Sequence, residues 1–234
     1  MTTLTTLATC HSPAALSRES VVDFLSDVDS YASDVYARRP TSVELLETHI
    51  SWVFLTDRFA YKLKKPVQFD FLDFTTLELR EKACREELRL NRRLAPQVYL
   101  DVVPITERGN RLSLGGSGRV VDWVVKMRRL PADRAVDRLI EAHAMPKSDV
   151  HRIARTLTDF YTQLPPVSLK TEDYLAEFAQ HVRGNEQELL QPYHDLDLDR
   201  VERAHEAQRL LLKLVPEMLA NRVLDGRIVE GHGD

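Results

Sequence analysis

Cysteine is scarce: Cys10 and Cys84 are the only two in 234 residues, far apart in the chain. Two such residues make neither a disulfide framework nor the paired spacing of a zinc site. Reduced thiols in a cytoplasmic protein are the expectation. A surplus of either charge is lacking too. The formal net charge is −4, which argues against a nucleic-acid partner, whose phosphates call for a basic field. Arg92-Arg93 and Arg128-Arg129 are short basic pairs beside apolar segments rather than a stripe. Long apolar runs are missing as well. No stretch reaches the roughly 20 residues that cross a bilayer, so no membrane association is expected. The threonine-rich start has no basic segment leading into an apolar one, which excludes a secretory signal. His143, His151, His181, His194 and His205 are scattered without a His-x3-His or carboxylate set, and read as surface or satisfied core histidines rather than metal ligands. Internal repeats and low-complexity tracts are absent.

What remains is an ordinary globular composition, 43% hydrophobic and 29% charged, enough for one large domain or two small lobes. Residues 1–17 read as a flexible tail. From Ser20, apolar residues at helical spacing (Val21, Phe24, Leu25, Val28, Tyr31, Val35) predict a helix. Thr41-Ser42-Val43-Glu44 has the form of a capping box and predicts a short second one. Residues 50–56 and 59–65 are rich in β-branched and aromatic types and read as a hairpin turning at Asp57-Arg58. A helix is expected over 76–94, then strands over 99–105, 111–114 and 119–127. Gly115-Gly116-Ser117-Gly118 is followed by a strand and lacks the lysine of a phosphate-binding loop, so it reads as a hairpin connection. This order suits an antiparallel sheet with a helix laid on it. Residues 131–224 read as helical: one helix capped by Ser148 with an apolar stripe (Val150, Ile153, Leu157), one over 174–190, and one from Asp199 that Pro216 kinks or splits. A short strand is expected over 227–229.

Two residues carry the first chemical hint. Phe59, Tyr61 and Leu63 face one side of their strand, and Ala60, Lys62 and Lys64 the other. Lys62 either snorkels to solvent or meets a partner, because an unpaired buried ammonium is expensive. On the next helix, Lys82, Glu86, Arg89 and Arg93 form a solvated stripe. Glu87 instead lies with Ala83, Leu90 and Leu94 on the apolar side. It is either a partly exposed flank or the partner of Lys62. A strand lysine held by a glutamate of the next helix is the device that positions nucleotide phosphates in protein kinases.

The terminal Glu230-Gly231-His232-Gly233-Asp234 resembles the catalytic loop of the aminoglycoside phosphotransferases. The blocks Glu47-Thr48-His49-Ile50-Ser51-Trp52-Val53-Phe54-Leu55, Ala60-Tyr61-Lys62-Leu63-Lys64-Lys65-Pro66-Val67, Phe71-Leu72-Asp73-Phe74 and Tyr99-Leu100-Asp101-Val102-Val103-Pro104 resemble bacterial members of that family, some of which are fused to a C-terminal P-loop domain. So do Glu87-Leu88-Arg89-Leu90-Asn91-Arg92-Arg93-Leu94-Ala95-Pro96 and Val124-Val125-Lys126-Met127-Arg128-Arg129-Leu130-Pro131. The match runs from about residue 43 to the end.

The resemblance implies an α+β, protein-kinase-like two-lobed fold, with an N-lobe over 18–130 and a helical C-lobe over 131–234. It implies ATP-dependent transfer to the hydroxyl of a small molecule. Lys62, or Lys64 on the same face, would contact the phosphates and Glu87 would hold it. Met127, Arg128 and Arg129 would form the hinge that meets adenine, and Asp234 with His232 would serve as base. Mg²⁺ is implied, with its ligands beyond Asp234. The chain is therefore expected to be a fragment that transfers no phosphate by itself. It departs from the protein-kinase pattern in having no glycine-rich lid. The alternatives are a non-catalytic pseudokinase that binds a nucleotide or a partner, and a helical scaffold.

Overall fold

The computed structural model describes residues 18–32, 39–69 and 72–231. The chain divides into two compact units, Met1–Ala144 and Met145–Asp234. The expected tail over 1–17 lies outside the described residues.

The first unit carries α1 (Arg18–Ser26), β1 (Glu44–Glu47), β2 (Ser51–Leu55), β3 (Phe59–Lys64), and a two-stranded hairpin of β4 (Gln68–Phe69) and β5 (Leu72–Asp73). It continues with α2 (Leu77–Arg92), β6 (Tyr99–Arg108), β7 (Arg111–Leu114), β8 (Arg119–Arg128) and the short α3 (Val136–Glu141). Six strands form one antiparallel sheet in the order β1-β2-β3-β8-β6-β7. Alternation along the strands sorts the side chains to two faces. Phe54, Tyr61, Leu63 and Val124 pack with Val21 and Leu25 of α1 and with Tyr31. Val102 and Val125 pack on the opposite face with Cys84 of α2. The unit is α+β, with helices on both faces of the sheet.

Several local signals act differently from their reading in sequence. The first helix stops at Ser26 because the Asp27 carboxylate accepts the amide of Asp29, at 2.9 Å, and starts a single 3-10 turn, Val28–Tyr31. Thr41 does not cap a helix. Its amide and hydroxyl donate to the Asp57 carboxylate at 2.8 and 2.9 Å, which ties it to the β2–β3 turn, and residues 44–47 extend to pair with β2. Ladder hydrogen bonds with a neighbour outweigh a cap that serves only its own segment. That turn needs no glycine. Thr56 closes it, donating its amide to the Phe59 carbonyl at 2.9 Å and accepting the Phe59 amide on Oγ1 at 3.1 Å. The β6–β7 turn takes Gly109 and Asn110 at φ 56° and 61°, the left-handed pair that a tight hairpin demands. α2 begins where Thr76 accepts the Leu79 amide, and Arg89 and Arg92 sit at its negative end.

The glycine segment 115–118 is not a hairpin connection. β7 and β8 flank β6 from opposite sides, so the chain must cross over β6 between them. The crossing is tight: a Cβ on Gly118 would lie 2.6 Å from the Glu107 carbonyl oxygen. Gly118→Ala is therefore expected to destabilise the unit by about 1–3 kcal/mol through forced backbone movement. Urea unfolding checks this, and an unchanged midpoint would refute it.

The second unit holds α4 (Lys147–Gln163), α5 (Thr171–Leu189), α6 (Leu198–Leu214) and α7 (Pro216–Leu224). Ser148 lies inside α4, whose start at Pro146 has no side-chain cap. The α4 stripe exists as a pattern, but Val150, Ile153 and Leu157 are exposed. Pro216 splits the last helical segment, sitting at the first turn of α7 where its missing N–H costs nothing. Arg209 of α6 pairs with Glu186 of α5. His205 is buried, with Nδ1 2.8 Å from the Val201 carbonyl. In place of the strand expected at 227–229 there is a single bridge, Val229 to Pro166. Among the described residues, no helix is long and apolar enough to cross a membrane.

Candidate functional site

The site is set by which side of β3 the lysines occupy. Lys62 stands between Val53 of β2 and Val125 of β8, and Lys64 beside Ser51, all on the face that α2 covers. α2 brings Glu87 over them. Lys62 Nζ donates to Glu87 Oε1 at 2.9 Å, and Lys64 Nζ to Oε2 at 2.7 Å. One carboxylate thus holds two ammonium groups, one on each oxygen. Lys64 also lies 4.7 Å from the centre of the Phe74 ring, a favourable place for a cation. The lysines differ in access: the Lys62 side chain is 28% exposed and that of Lys64 only 6%. Burial pushes the Glu87 carboxyl up, but the charges of Lys64 and Lys62 and their hydrogen bonds outweigh it and hold it below its ordinary value. With Glu87 ionised, the three groups carry a surplus of one positive charge, and Lys62 is the member that faces solvent. That is a donor set suited to an anionic oxygen.

A second ion pair, which the sequence reading did not single out, fixes α2 on the sheet. Arg80 Nε donates to Asp122 Oδ1 at 2.9 Å, and both side chains are buried. Arg80 also donates to the carbonyls of Phe74 and Thr75, at 3.0 and 3.1 Å. The signal was in the helix: Arg80, Cys84, Glu87 and Asn91 recur at 4-3-4 spacing, a polar series along the inward side. Cys84 lies between the two ion pairs, and burial pushes its thiol up to about 11. It is thus a packing residue rather than a nucleophile at neutral pH.

The expected hinge residues lie at the end of β8. Met127 pairs with Ala60 and Tyr99 and packs on the α2 side. The amide of Arg128 donates to the Val98 carbonyl at 2.8 Å and that of Arg129 to the Arg58 carbonyl at 2.9 Å. Arg129 also reaches the Thr56 carbonyl and Glu44, each at 3.0 Å. His232 and Asp234 lie outside the described residues. Gly231, just before them, approaches Tyr161 so closely that a Cβ would lie 2.9 Å from the ring. Among the described residues, no group of three His, Cys, Asp or Glu side chains is arranged to hold a metal ion.

No family model matches the chain. It is similar to an uncharacterized protein of Mycobacterium bovis and to uncharacterized proteins of two strains of Mycobacterium tuberculosis. Each is 30% identical over 196 residues, which is 82% of this chain and 37% of the relative. The chain thus spans little more than a third of the length of the curated relatives it matches.

Proposed function

We propose that this chain is the nucleotide-binding part of a protein-kinase-like, two-lobed phosphotransferase that moves a phosphoryl group from ATP to the hydroxyl of a small molecule. The observation that supports it is the pair of lysines held on Glu87, with Lys62 open to solvent. Lys62 would bind and orient phosphate oxygens. Glu87 would keep its ammonium aimed, and Lys64 on the other oxygen would remain as a counter-ion when Lys62 engages a phosphate. Bound ATP would supply the phosphoryl group. Asp234, with His232 two residues before it in the sequence, would take the proton from the acceptor's hydroxyl oxygen. Mg²⁺ is part of this reading, but no described residues are grouped to hold it. The amides of Arg128 and Arg129 are already engaged, so a purine would meet this segment through other groups, such as the Met127 side chain.

Lys62→Ala tests the reading. The residue is partly exposed, and its removal leaves Glu87 on Lys64, so the fold is expected to persist. ATP affinity measured by calorimetry should fall about tenfold or more, as for loss of a charge-assisted hydrogen bond. Equal affinity in the variant would sink the proposal. Binding without turnover in a full-length relative would leave the non-catalytic, nucleotide-binding alternative.

A further inference from the structure

The second unit contains a cleft of about 630 Å³ between α4, α7 and residues 226–229, within the size range of small-molecule sites. We infer that this cleft binds a small anionic alcohol, one bearing a phosphate or a carboxylate. Its role as the acceptor site rests on the phosphotransferase reading above.

The chemistry of the walls carries the argument. Arg222 and Arg227 both line the cleft. Arg227 lies 3.4 Å from the Asp225 carboxylate, whereas the Arg222 guanidinium makes no hydrogen bond or ion pair among the described residues. The lining residues include two cations and no acid, while Asp225 and Glu230 flank the last segment, so the walls themselves favour an anion over a polycationic acceptor. A guanidinium fork matches carboxylate and phosphate geometry alike. Leu164, Ile228, Val229 and Tyr161 also line the cleft and offer apolar contact to a carbon skeleton.

The walls are fixed by backbone. The Arg227 amide donates to the Arg222 carbonyl, and the Val167 amide to the Ile228 carbonyl, each at 2.8 Å. Gly226, at φ 66°, turns the chain so close to Pro166 that a Cβ would lie 3.1 Å from its ring. The same segment continues through Glu230 into Gly231-His232-Gly233-Asp234. The last lining residue, Val229, precedes the proposed base by five residues.

The test is an NMR titration of the full 234-residue chain, labelled with nitrogen-15, using glycerol 3-phosphate, glycerate and glycerol as probes. One or both anions should give saturable shifts at Arg222, Arg227 and Val229. The tighter of the two identifies the anionic group, and glycerol should give none. The double variant Arg222→Gln/Arg227→Gln, at exposed positions, should melt as the parent does and bind the anion about tenfold or more weaker. No saturable shift, equal binding of glycerol, or unchanged affinity in the double variant would overturn the inference. An ATP titration of the same sample separates the two proposals. Lys62→Ala should weaken the ATP response about tenfold or more and leave the anion response intact. Failure of ATP to bind the parent would remove the kinase reading, while the anion titration would still decide this site.

Discussion

Replacing Glu87 by alanine is expected to destabilise the first unit by about 3–5 kcal/mol, the usual result of removing one partner from a buried ion pair. The reason lies in Lys64. Its ammonium is nearly sealed from water, and Glu87 Oε2 is 2.7 Å away. Without that carboxylate, two neighbouring ammonium groups face each other on one strand face under α2. Glu87→Gln should do less damage, because the amide still fills the space and offers one acceptor. The pH dependence has a definite sign. The Glu87 carboxyl titrates below its ordinary value of 4.5 when folded. Its stabilisation is therefore fully present above about pH 4.5 and is lost as pH falls through the lower, folded value. Urea unfolding of the parent between neutral and acid pH should show this acid limb, and Glu87→Gln should flatten it. An acid limb of unchanged depth in that variant would show that other carboxylates account for it. ATP binding should fall in both variants, because Lys62 loses the group that aims it.

Much of this site was legible in the sequence, since it depends on local periodicities. A period of two puts Lys62 and Lys64 on the face opposite Tyr61. A period of 3.6 puts Glu87 on the inward side of α2, and the contact follows once helix and strand pack. What could not be read is what tertiary partners decide. Nothing local in β8 says that it inserts between β3 and β6, so residues 115–118 pass for a hairpin loop although they cross a strand. Nothing in Thr41-Ser42-Val43-Glu44 says that Asp57 will take the threonine. The stripe of α4 states only that an apolar face exists, not that it is covered. The hinge was the hardest: the sequence of Met127 to Arg129 gives no sign that two of its amides are bound by Val98 and Arg58.

Asp122→Ala is the other substitution with a large expected effect, again about 3–5 kcal/mol. The Asp122 side chain has no exposed area and that of Arg80 is 8% exposed. Burial draws the Arg80 guanidinium below its ordinary value, the sign of a charge held in a poorly solvating place. Removing Asp122 leaves Arg80 Nε without its 2.9 Å acceptor and also takes away the carboxylate that accepts the Trp123 amide. Arg80→Met leaves the opposite charge stranded and should cost a similar amount. The double variant Arg80→Met/Asp122→Leu removes both desolvated charges and should recover most of the loss, as for other buried pairs exchanged for apolar residues. A double variant as unstable as the sum of the singles would mean that the two residues act separately. The pair also bears on the site, because Arg80 and Glu87 are two helical turns apart on the same side of α2. If the pair sets the rotation of α2, ATP affinity should drop in both single variants at temperatures where they remain folded. It should drop by more than in an exposed control such as Glu86→Gln, whose partner Arg89 lies on the solvent side. Affinity untouched in the folded single variants would confine Arg80 and Asp122 to stability and leave the aim of Glu87 to Lys64 alone.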